Sequence, residues 1–269
     1  MRLLVFGPGY TASRLIARLA GRADIATVTR ETFAGRAEDI AQATHILSTV
    51  PPGEDDPVLA AYGAEIAASA TWIGYLSSTG VYGDTGGAWV DETAPIGTGR
   101  RTARSEADAA WLGLGARVFR LPGIYGPGRS PLDRIRAGDA RRIDVSGQVF
   151  SRVHVDDIVR GVIAGFDGPP GAYNLADDLP APQSDVIAYG CALLGLPVPP
   201  LVPLEQANLS PQARAFYAEN RRIANLRAKR VLGWTPRYAD YRLGLRALSA
   251  TTSPATTSTA PPAASHDQR

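Results

Sequence analysis

Close to its N-terminus the chain reads Arg2-Leu3-Leu4-Val5-Phe6-Gly7-Pro8-Gly9-Tyr10-Thr11-Ala12. The apolar run before the glycines is short and continuous, as expected for a buried strand of a parallel sheet. Apolar residues then recur at helical spacing until Gly21, where a helix would end. The segment therefore predicts a strand, a tight turn and a helix.

Further strands and helices alternate along the chain. Strands are predicted at 25–29, 45–50, 72–77 and 117–121, and helices at about 58–70, 105–112 and 158–166. This alternation predicts an α/β fold with a doubly wound (Rossmann), mostly parallel sheet. Only fourteen residues separate Arg30 from His45, although a parallel crossover needs about a dozen by itself. One strand of the usual six is therefore expected to be lost or vestigial.

Composition changes along the chain predict its domains. Residues 1–170 are expected to form the nucleotide-binding domain, with 122–142 contributing to a smaller lobe because prolines and glycines crowd together there. Residues 171–248 are expected to form that C-terminal α+β lobe, which would bind the substrate. The remainder, 249–269, is almost entirely Thr, Ser, Pro and Ala. Such a tail buries too little apolar surface to offset its ordering entropy, so it is expected to be disordered.

Overall composition narrows the class of protein. The 269 residues carry a formal net charge of +2 and one cysteine, Cys191. No basic run predicts a nucleic-acid partner, and no apolar stretch reaches the roughly 18 residues needed to cross a membrane. His154 has no accompanying cluster of metal ligands. We expect a cytoplasmic protein without a disulfide or a metal, whose partner is a small molecule.

The glycine turn is a candidate cofactor site. Its Gly-x-Gly-x-x-Ala pattern lies between a strand and a helix, the context that the dinucleotide fingerprint requires. Gly7 would permit the turn, Gly9 would let a pyrophosphate approach the backbone, and Ala12 would allow close helix packing. Tyr10 and Thr11 would present the helix N-terminus to the phosphates. The alternative is an ordinary glycine turn before a helix.

Cofactor choice is expected to depend on the end of the second strand. That strand ends in Thr29-Arg30, and a carboxylate first follows at Glu31, where it is expected to face away. Because a guanidinium pairs bidentately with a 2′-phosphate, the pattern favours NADP over NAD. Arg30 could instead be a solvated surface residue.

A third strand end adds further cofactor candidates. Thr49, Val50 and Pro51 lie at the end of the strand predicted at 45–50, at the sheet edge where ligands bind in open α/β folds. They could contact a ribose. Equally, the two prolines at 51 and 52 could simply stop the strand.

Four later blocks carry a family resemblance. In order they are Leu76-Ser77-Ser78-Thr79-Gly80-Val81-Tyr82-Gly83, Asp91-Glu92-Thr93-Ala94-Pro95, Arg120-Leu121-Pro122-Gly123-Ile124-Tyr125-Gly126-Pro127-Gly128 and Val153-His154-Val155-Asp156-Asp157-Ile158. Over about residues 1–248, the blocks and their spacing resemble the extended short-chain dehydrogenase/reductases of the NAD-dependent epimerase/dehydratase group. The shortened glycine motif and the Ser-Thr-Val-Pro-Pro strand end resemble an atypical subgroup.

The resemblance implies roles for individual residues. Ser78 lies where the family's catalytic serine lies and would hydrogen-bond the substrate oxygen, although its hydroxyl could also be satisfied at the strand end. Ser77, Pro122 and Gly123 would line the cofactor site. In the His-Val-Asp-Asp block, the aspartates at 156 and 157 are expected to cap a helix rather than to catalyse.

The chain departs from the family at its catalytic Tyr-x-x-x-Lys pair. Its one lysine, Lys229, has no tyrosine four residues before it. After Pro95, the alignment of the blocks puts Arg100 in the tyrosine slot and Arg104 in the lysine slot. Arg104 could still bind ribose hydroxyls, but Arg100 cannot serve as a general acid or base because a guanidinium stays protonated. Both could also lie on a solvated helix face.

Another phenol could substitute for the missing tyrosine. Tyr82 is close in sequence to Ser78, and Tyr125 follows the strand that ends at Leu121. The family has tyrosine at both positions beside its usual catalyst, which favours a structural role for each. A substrate that needs only hydride transfer and electrophilic stabilisation would require no tyrosine.

Together these features predict an NADP-dependent oxidoreductase or epimerase-like enzyme with atypical catalytic groups. The alternative is a non-catalytic NADP-binding protein that senses redox state or modulates a partner. Sugar-nucleotide epimerisation or dehydration is a third possibility, disfavoured because it depends most on the tyrosine. Tyr217, Arg221 and Arg222 could contribute to the substrate pocket or lie on the surface, and the resemblance makes a homodimer plausible.

Overall fold

The structure is a computed structural model that describes residues 1–69, 71–99 and 102–252. Its strands are β1 (Arg2–Phe6), β2 (Asp24–Val28), β3 (His45–Ser48), β4 (Trp72–Ser78), β5 (Trp89–Val90), β6 (Arg117–Leu121), β7 (Gly123–Tyr125), β8 (Arg142–Asp144), β9 (Arg152–His154), β10 (Gly171–Asn174), β11 (Leu201–Pro203) and β12 (Arg222–Ile223). Its α-helices are α1 (Tyr10–Leu19), α2 (Ala37–Gln42), α3 (Pro57–Ala68), α4 (Thr102–Gly113), α5 (Pro131–Arg136), α6 (Val155–Ala164), α7 (Gln183–Leu194), α8 (Pro211–Phe216), α9 (Leu226–Leu232) and α10 (Tyr241–Thr252).

A parallel sheet forms the centre of the molecule. Its six strands lie in the order β2-β1-β3-β4-β6-β10, and each neighbouring pair is parallel. Successive side chains of β1 face opposite sides of the sheet. Leu3 and Val5 join one apolar cluster with α1 and α6, whereas Leu4 and Phe6 join another with α3 and α4. Helices therefore cover both faces, which confirms the predicted doubly wound α/β fold.

A strand was expected to be missing between Arg30 and His45. The described chain has none there, but the central sheet still has six strands. Between β2 and β3 the described chain forms only the short helix α2, so β2 is an edge of the sheet. At the opposite edge, β10 pairs with β6 and restores the number to six. The predicted lobe boundary at 171 thus falls at the start of a strand of the central sheet.

A smaller lobe packs beside the carboxyl end of the sheet. Its core joins side chains from α5, α7 and α10, together with Tyr125 at the end of β7. Two short parallel pairs, β7 with β9 and β8 with β11, complete it. Segment 122–142, expected to contribute to the lobe, supplies β7, α5 and the first residue of β8. Helix α10 runs four residues beyond 248, and residues 253–269 of the predicted tail lie outside the described residues.

Helix α6 begins earlier than the periodicity predicts. It starts at Val155, and the cap is the side chain of His154, which accepts a hydrogen bond from the Asp156 backbone N–H. The expectation that Asp156 or Asp157 caps this helix is therefore wrong. Asp157 instead accepts backbone hydrogen bonds from Arg237 and Tyr238, at 2.6 and 2.9 Å.

Of the helices in the described part of the chain, none has both the length and the apolar character needed to cross a membrane.

Candidate active site and cofactor cleft

The two glycines of the turn after β1 serve different purposes. Gly7 has φ +78°, and an added Cβ would lie 2.9 Å from a methyl carbon of Val50. At Gly9, by contrast, an added Cβ would meet only the Gly7 carbonyl oxygen, 4.0 Å away. The fold therefore requires glycine at position 7. At position 9 the protein itself leaves open space, as expected where a ligand approaches the backbone.

The strand end after β3 braces the glycine turn. The Thr49 hydroxyl donates a hydrogen bond to the Gly7 carbonyl, and Val50 packs on Gly7. Thr49 and Pro51 also line the cleft above the turn, whereas Val50 does not. The residues predicted for this strand end thus support the turn and form part of the wall around it.

A cleft of about 520 Å³ lies along the carboxyl edge of the sheet. It brings together many residues predicted for the cofactor and the catalyst. Among the predicted residues, those that line it are Gly9, Tyr10, Thr11, Thr49, Pro51, Ser77, Ser78, Arg104 and Pro122. The predicted residues that lie outside its lining are Gly7, Ala12, Thr29, Arg30, Val50, Tyr82 and Gly123.

Ser78 ends β4 and faces this cleft. Its hydroxyl oxygen accepts a hydrogen bond from the Gly80 backbone N–H at 3.1 Å. The hydroxyl proton is not used by that bond, so Ser78 can donate to a ligand. Both expected roles, a satisfied strand end and a substrate contact, are compatible with this geometry.

Ser77 is held differently from its neighbour. Its buried hydroxyl donates to the Asp108 carboxylate at 2.6 Å. Asp108 also accepts two hydrogen bonds from the buried guanidinium of Arg120. These bonds tie β4, α4 and β6 together beneath the cleft.

The structure describes one of the two arginines predicted in the catalytic slots. Arg104 lies in the first turn of α4, is half-buried and lines the cleft. It interacts with other groups of the protein. Arg100 lies outside the described residues. The cleft that Ser78 lines therefore also contains a permanent positive charge.

Tyr82 lies in a buried network away from the cleft lining. Its hydroxyl donates to the Asn174 side chain at 2.7 Å and accepts from Arg120 at 2.9 Å. Burial raises the pKa of Tyr82 to about 12. The geometry favours the structural role over that of a substitute catalyst. The Asp-Glu-Thr-Ala-Pro block joins the same network, because Glu92 accepts from the Asn174 backbone N–H.

Tyr125 lies in the core of the smaller lobe. Its ring makes an edge contact with His154, with ring centroids 5.2 Å apart, and its hydroxyl lies against Gly244. Burial raises the pKa of Tyr125 well above its usual value. Tyr125 is not part of the cleft lining, which again favours packing over catalysis.

Glu31, which was expected to face away from the cofactor, lies just beyond the end of β2. Its carboxylate accepts a hydrogen bond from the Thr29 hydroxyl at 2.5 Å, and it is not part of the cleft lining. This bond is the main cause of a lowered pKa for Glu31. Arg30 is exposed. A base and an acid, Arg30 and Glu31, therefore directly follow Thr29 at the end of β2.

Several lining residues of the cleft were not predicted. Arg129, Phe216 and Glu219 lie in its wall, along with Arg221, which had been named as a possible contributor. Arg129 directly follows the Arg120–Gly128 block, which is a signal that could have identified it. Phe216 ends a six-residue helix far along the chain, and no local pattern marks it. Tyr217 and Arg222 line a second cavity of about 260 Å³ in the smaller lobe.

The described residues contain no group of three or more His, Cys, Asp and Glu side chains that could hold a metal ion.

A conserved protein of unknown function from Silicibacter pomeroyi DSS is similar along almost the whole chain. The two are 44% identical with a TM-score of 0.84, over 93% of this chain and 98% of the other. The chain and this protein belong to one family. No protein-family model matches the chain.

Other solved structures share the fold at lower identity. Human epimerase family protein SDR39U1, solved with NADPH, has a TM-score of 0.73 and 17% identity over 93% of this chain and 99% of its own. UDP-glucose 4-epimerase from Thermotoga maritima, solved with UDP-glucose, has a TM-score of 0.72 and 16% identity over the same shares. These similarities show that the chain shares the fold of these two proteins.

One curated relative carries a named activity. It is the 3-diazoavenalumate denitrifying reductase of a Streptomyces species, 30% identical over 178 residues. The match spans 58% of each protein, so the chain covers less than two thirds of that relative's length.

Proposed function

We propose that this chain is an NADP-dependent oxidoreductase that transfers hydride between the cofactor and a small substrate bound at Ser78. The observation that carries the proposal is the shared cleft, in which the glycine turn, Ser78 and Arg104 line one continuous space. A site that places a dinucleotide fingerprint beside a hydroxyl donor and a fixed cation fits this chemistry.

The cleft fits a dinucleotide on structural grounds. Gly9 has open space where a Cβ would point, and α1 follows directly with no acidic residue in its first turn. Its N-terminal N–H groups and partial positive charge favour a phosphate there. The strand ends after β1, β3 and β4 supply the remaining walls, the usual ligand position in an open α/β sheet.

Reduced nicotinamide, when bound, supplies the hydride. Ser78 keeps its hydroxyl proton free to donate to a substrate oxygen or nitrogen, because its oxygen already accepts from Gly80. Arg104 contributes positive charge where negative charge would develop on the substrate. Neither group must change its protonation state for these roles.

In this proposed reaction no tyrosine acts as the proton donor. Tyr82 is committed to Asn174 and Arg120, and its pKa is raised to about 12 by burial. Substrates whose reduction needs little protonation are therefore favoured. An arenediazonium group meets this condition, since net addition of hydride releases N₂ and leaves a C–H bond. The activity named for the Streptomyces relative motivates testing this class beside carbonyl compounds.

NADP rather than NAD is proposed from Arg30, whose guanidinium can pair with a 2′-phosphate. Glu31 opposes this choice by its charge while it remains bonded to Thr29. The proposed preference for NADP therefore depends on whether the attraction of a 2′-phosphate to exposed Arg30 exceeds its repulsion by exposed Glu31. It is tested by the substitutions described in the Discussion.

NADPH oxidation tests the proposed activity. The chain would be assayed at 340 nm with a panel of aldehydes, ketones and arenediazonium compounds, beside Ser78→Ala and a control, Ser69→Ala. Ser69 lies at the end of α3, where its hydroxyl donates to Ile66, and it does not line the cleft. Ser78→Ala should lower kcat/KM by about tenfold or more, and the control should match the wild type.

Two outcomes would contradict the enzyme proposal. One is that NADPH binds but no member of the panel oxidises it. The other is that Ser78→Ala oxidises NADPH as fast as the wild type. The first result would favour the alternative of a non-catalytic NADP-binding sensor, which retains the cofactor turn and needs no catalyst.

A further inference from the structure

Tyr10, the residue after Gly9, joins the glycine turn to a distant loop. Its hydroxyl donates to the Pro127 carbonyl at 3.0 Å. Gly126 lies so close that an added Cβ would be 2.6 Å from the Tyr10 hydroxyl oxygen. This close approach needs glycine at 126. The loop 126–129 is therefore packed directly on the first turn of α1.

The same contact fixes the position of Arg129. Its backbone N–H donates to the Gly126 carbonyl at 3.0 Å, closing a tight turn. Its guanidinium carbon lies 4.7 Å from the centre of the Tyr10 ring, a cation–π distance. The side chain is exposed and lines the cleft with Gly9, Tyr10 and Thr11. A permanent cation thus stands beside the turn that would receive the phosphates.

The phosphates need such a charge. A dinucleotide pyrophosphate carries two negative charges, whereas a helix N-terminus supplies the equivalent of about half a positive charge. The first turn of α1 adds no charged side chain before Arg14. Arg221, another cation of the cleft, already donates to Glu219 and to the Gly83 carbonyl. Arg129 is therefore the better placed of these cations.

We infer that Arg129 is a side-chain clamp for the pyrophosphate of the dinucleotide, closing on it from the side opposite the α1 backbone. The inference rests on the proposed cofactor site and adds a residue from a distant loop to it. Tyr10 serves as the platform that holds the guanidinium in place. An arginine suits this position because its donors pair with two phosphate oxygens at once.

Arg14 provides a matched control. Its guanidinium carbon also lies near the Tyr10 ring, at 5.9 Å, but it is not part of the cleft lining. Both arginines therefore have the same charge and the same aromatic neighbour. Only Arg129 is positioned to reach a ligand in the cleft.

The experiment compares NADPH affinities by calorimetry for the wild type, Arg129→Ala, Arg129→Lys and Arg14→Ala. Arg129→Ala should weaken NADPH binding about tenfold or more, the scale of one charge-assisted hydrogen bond. Arg129→Lys should lie between, since it keeps the charge without the bidentate geometry. Arg14→Ala should stay within about twofold of the wild type. The thermal unfolding temperature should be nearly unchanged in the variants, because neither Arg129 nor Arg14 is buried.

A fragment of the cofactor separates the pyrophosphate from the 2′-phosphate. Adenosine 2′-monophosphate carries the 2′-phosphate but no phosphate on its 5′-oxygen, so its affinity should be little affected by Arg129→Ala. An equal loss for the fragment and for NADPH would overturn the clamp. So would an unchanged NADPH affinity in Arg129→Ala. Failure of the wild type to bind NADPH would instead overturn the proposed function, and this inference with it.

Discussion

Arg120 donates two hydrogen bonds to Asp108, at 2.7 and 3.1 Å, and both side chains are almost wholly buried. The pair joins β6 to α4 directly beneath Ser77, whose hydroxyl donates to the same carboxylate. A buried guanidinium that loses its carboxylate keeps its charge in a medium that solvates it poorly. The pair therefore holds the cleft floor in one arrangement.

Asp108→Asn should destabilise the protein by about 3–5 kcal/mol, the usual cost of removing one partner from a buried ion pair. Urea unfolding would measure the loss. Asp24→Asn is the control, because Asp24 faces Arg2 across 3.8 Å and is largely exposed. It should change the free energy of unfolding little. Equal stabilities for Asp108→Asn and the wild type would refute this role.

Gly7→Ala should lower the stability of the protein, whereas Gly9→Ala should lower its affinity for NADPH. Alanine at 7 adopts a positive φ and meets Val50, so the free energy of unfolding should fall by about 1–3 kcal/mol. Alanine at 9 meets no close neighbour in the protein, and stability should stay within about 0.5 kcal/mol. NADPH affinity should nevertheless fall at least about tenfold in Gly9→Ala, because the methyl group enters the phosphate path. A wild-type affinity for NADPH in Gly9→Ala would contradict the placement of the phosphates at this turn.

The preference for NADPH over NADH should respond to Arg30 and Glu31, the two charged residues that follow Thr29. Arg30→Ala should weaken NADPH binding more than NADH binding, because only NADPH carries the 2′-phosphate. Glu31→Gln should strengthen NADPH binding, because it removes the negative charge bonded to Thr29. Fluorescence titration of both cofactors measures the ratio. An unchanged NADPH-to-NADH ratio in Arg30→Ala would rule out its assigned role.

His154 should make the protein acid-sensitive. Burial lowers the pKa of His154 to about 4, and its ring nitrogen caps α6 by accepting from the Asp156 N–H. Because the folded pKa lies below the unfolded value of about 6.5, this contribution to stability is present above pH 6.5 and is lost as the pH falls towards 4.

His154→Asn tests this dependence, since asparagine can still cap the helix but does not titrate. Between pH 7 and pH 5 the wild type should lose roughly 1–2 kcal/mol more stability than the variant. Urea unfolding at several pH values would show the difference. Parallel stability curves for the two proteins would contradict the neutral, buried histidine.

The fold could be predicted largely because its signals are local. Strand β6 was predicted with the bounds that it has, because its short segment follows a predicted helix and lies between Gly115 and Pro122, which end regular structure. The start of α6 was misjudged because its cap is a histidine, which local preferences do not favour. Strand β10 was placed in the lobe, because its pairing with β6 depends on contacts far apart in sequence.

The site was predictable where one segment carries it. The glycine turn and Ser78 belong to blocks with a defined spacing, and the structure brings both to one cleft. Arg129 adjoins one of those blocks and could have been included with it, whereas Phe216 and Glu219 reach the cleft from a distant segment that only the tertiary fold reveals. The hydrogen bond between Thr29 and Glu31 is a side-chain contact that the sequence pattern did not predict.

A crystal structure with NADP bound tests the central claim most directly. We predict the pyrophosphate between the backbone N–H groups of Tyr10 and Thr11 and the Arg129 guanidinium, with the nicotinamide ring beside Ser78 and Arg104. A cofactor absent from this cleft, or a nicotinamide ring directed away from Ser78, would contradict the account.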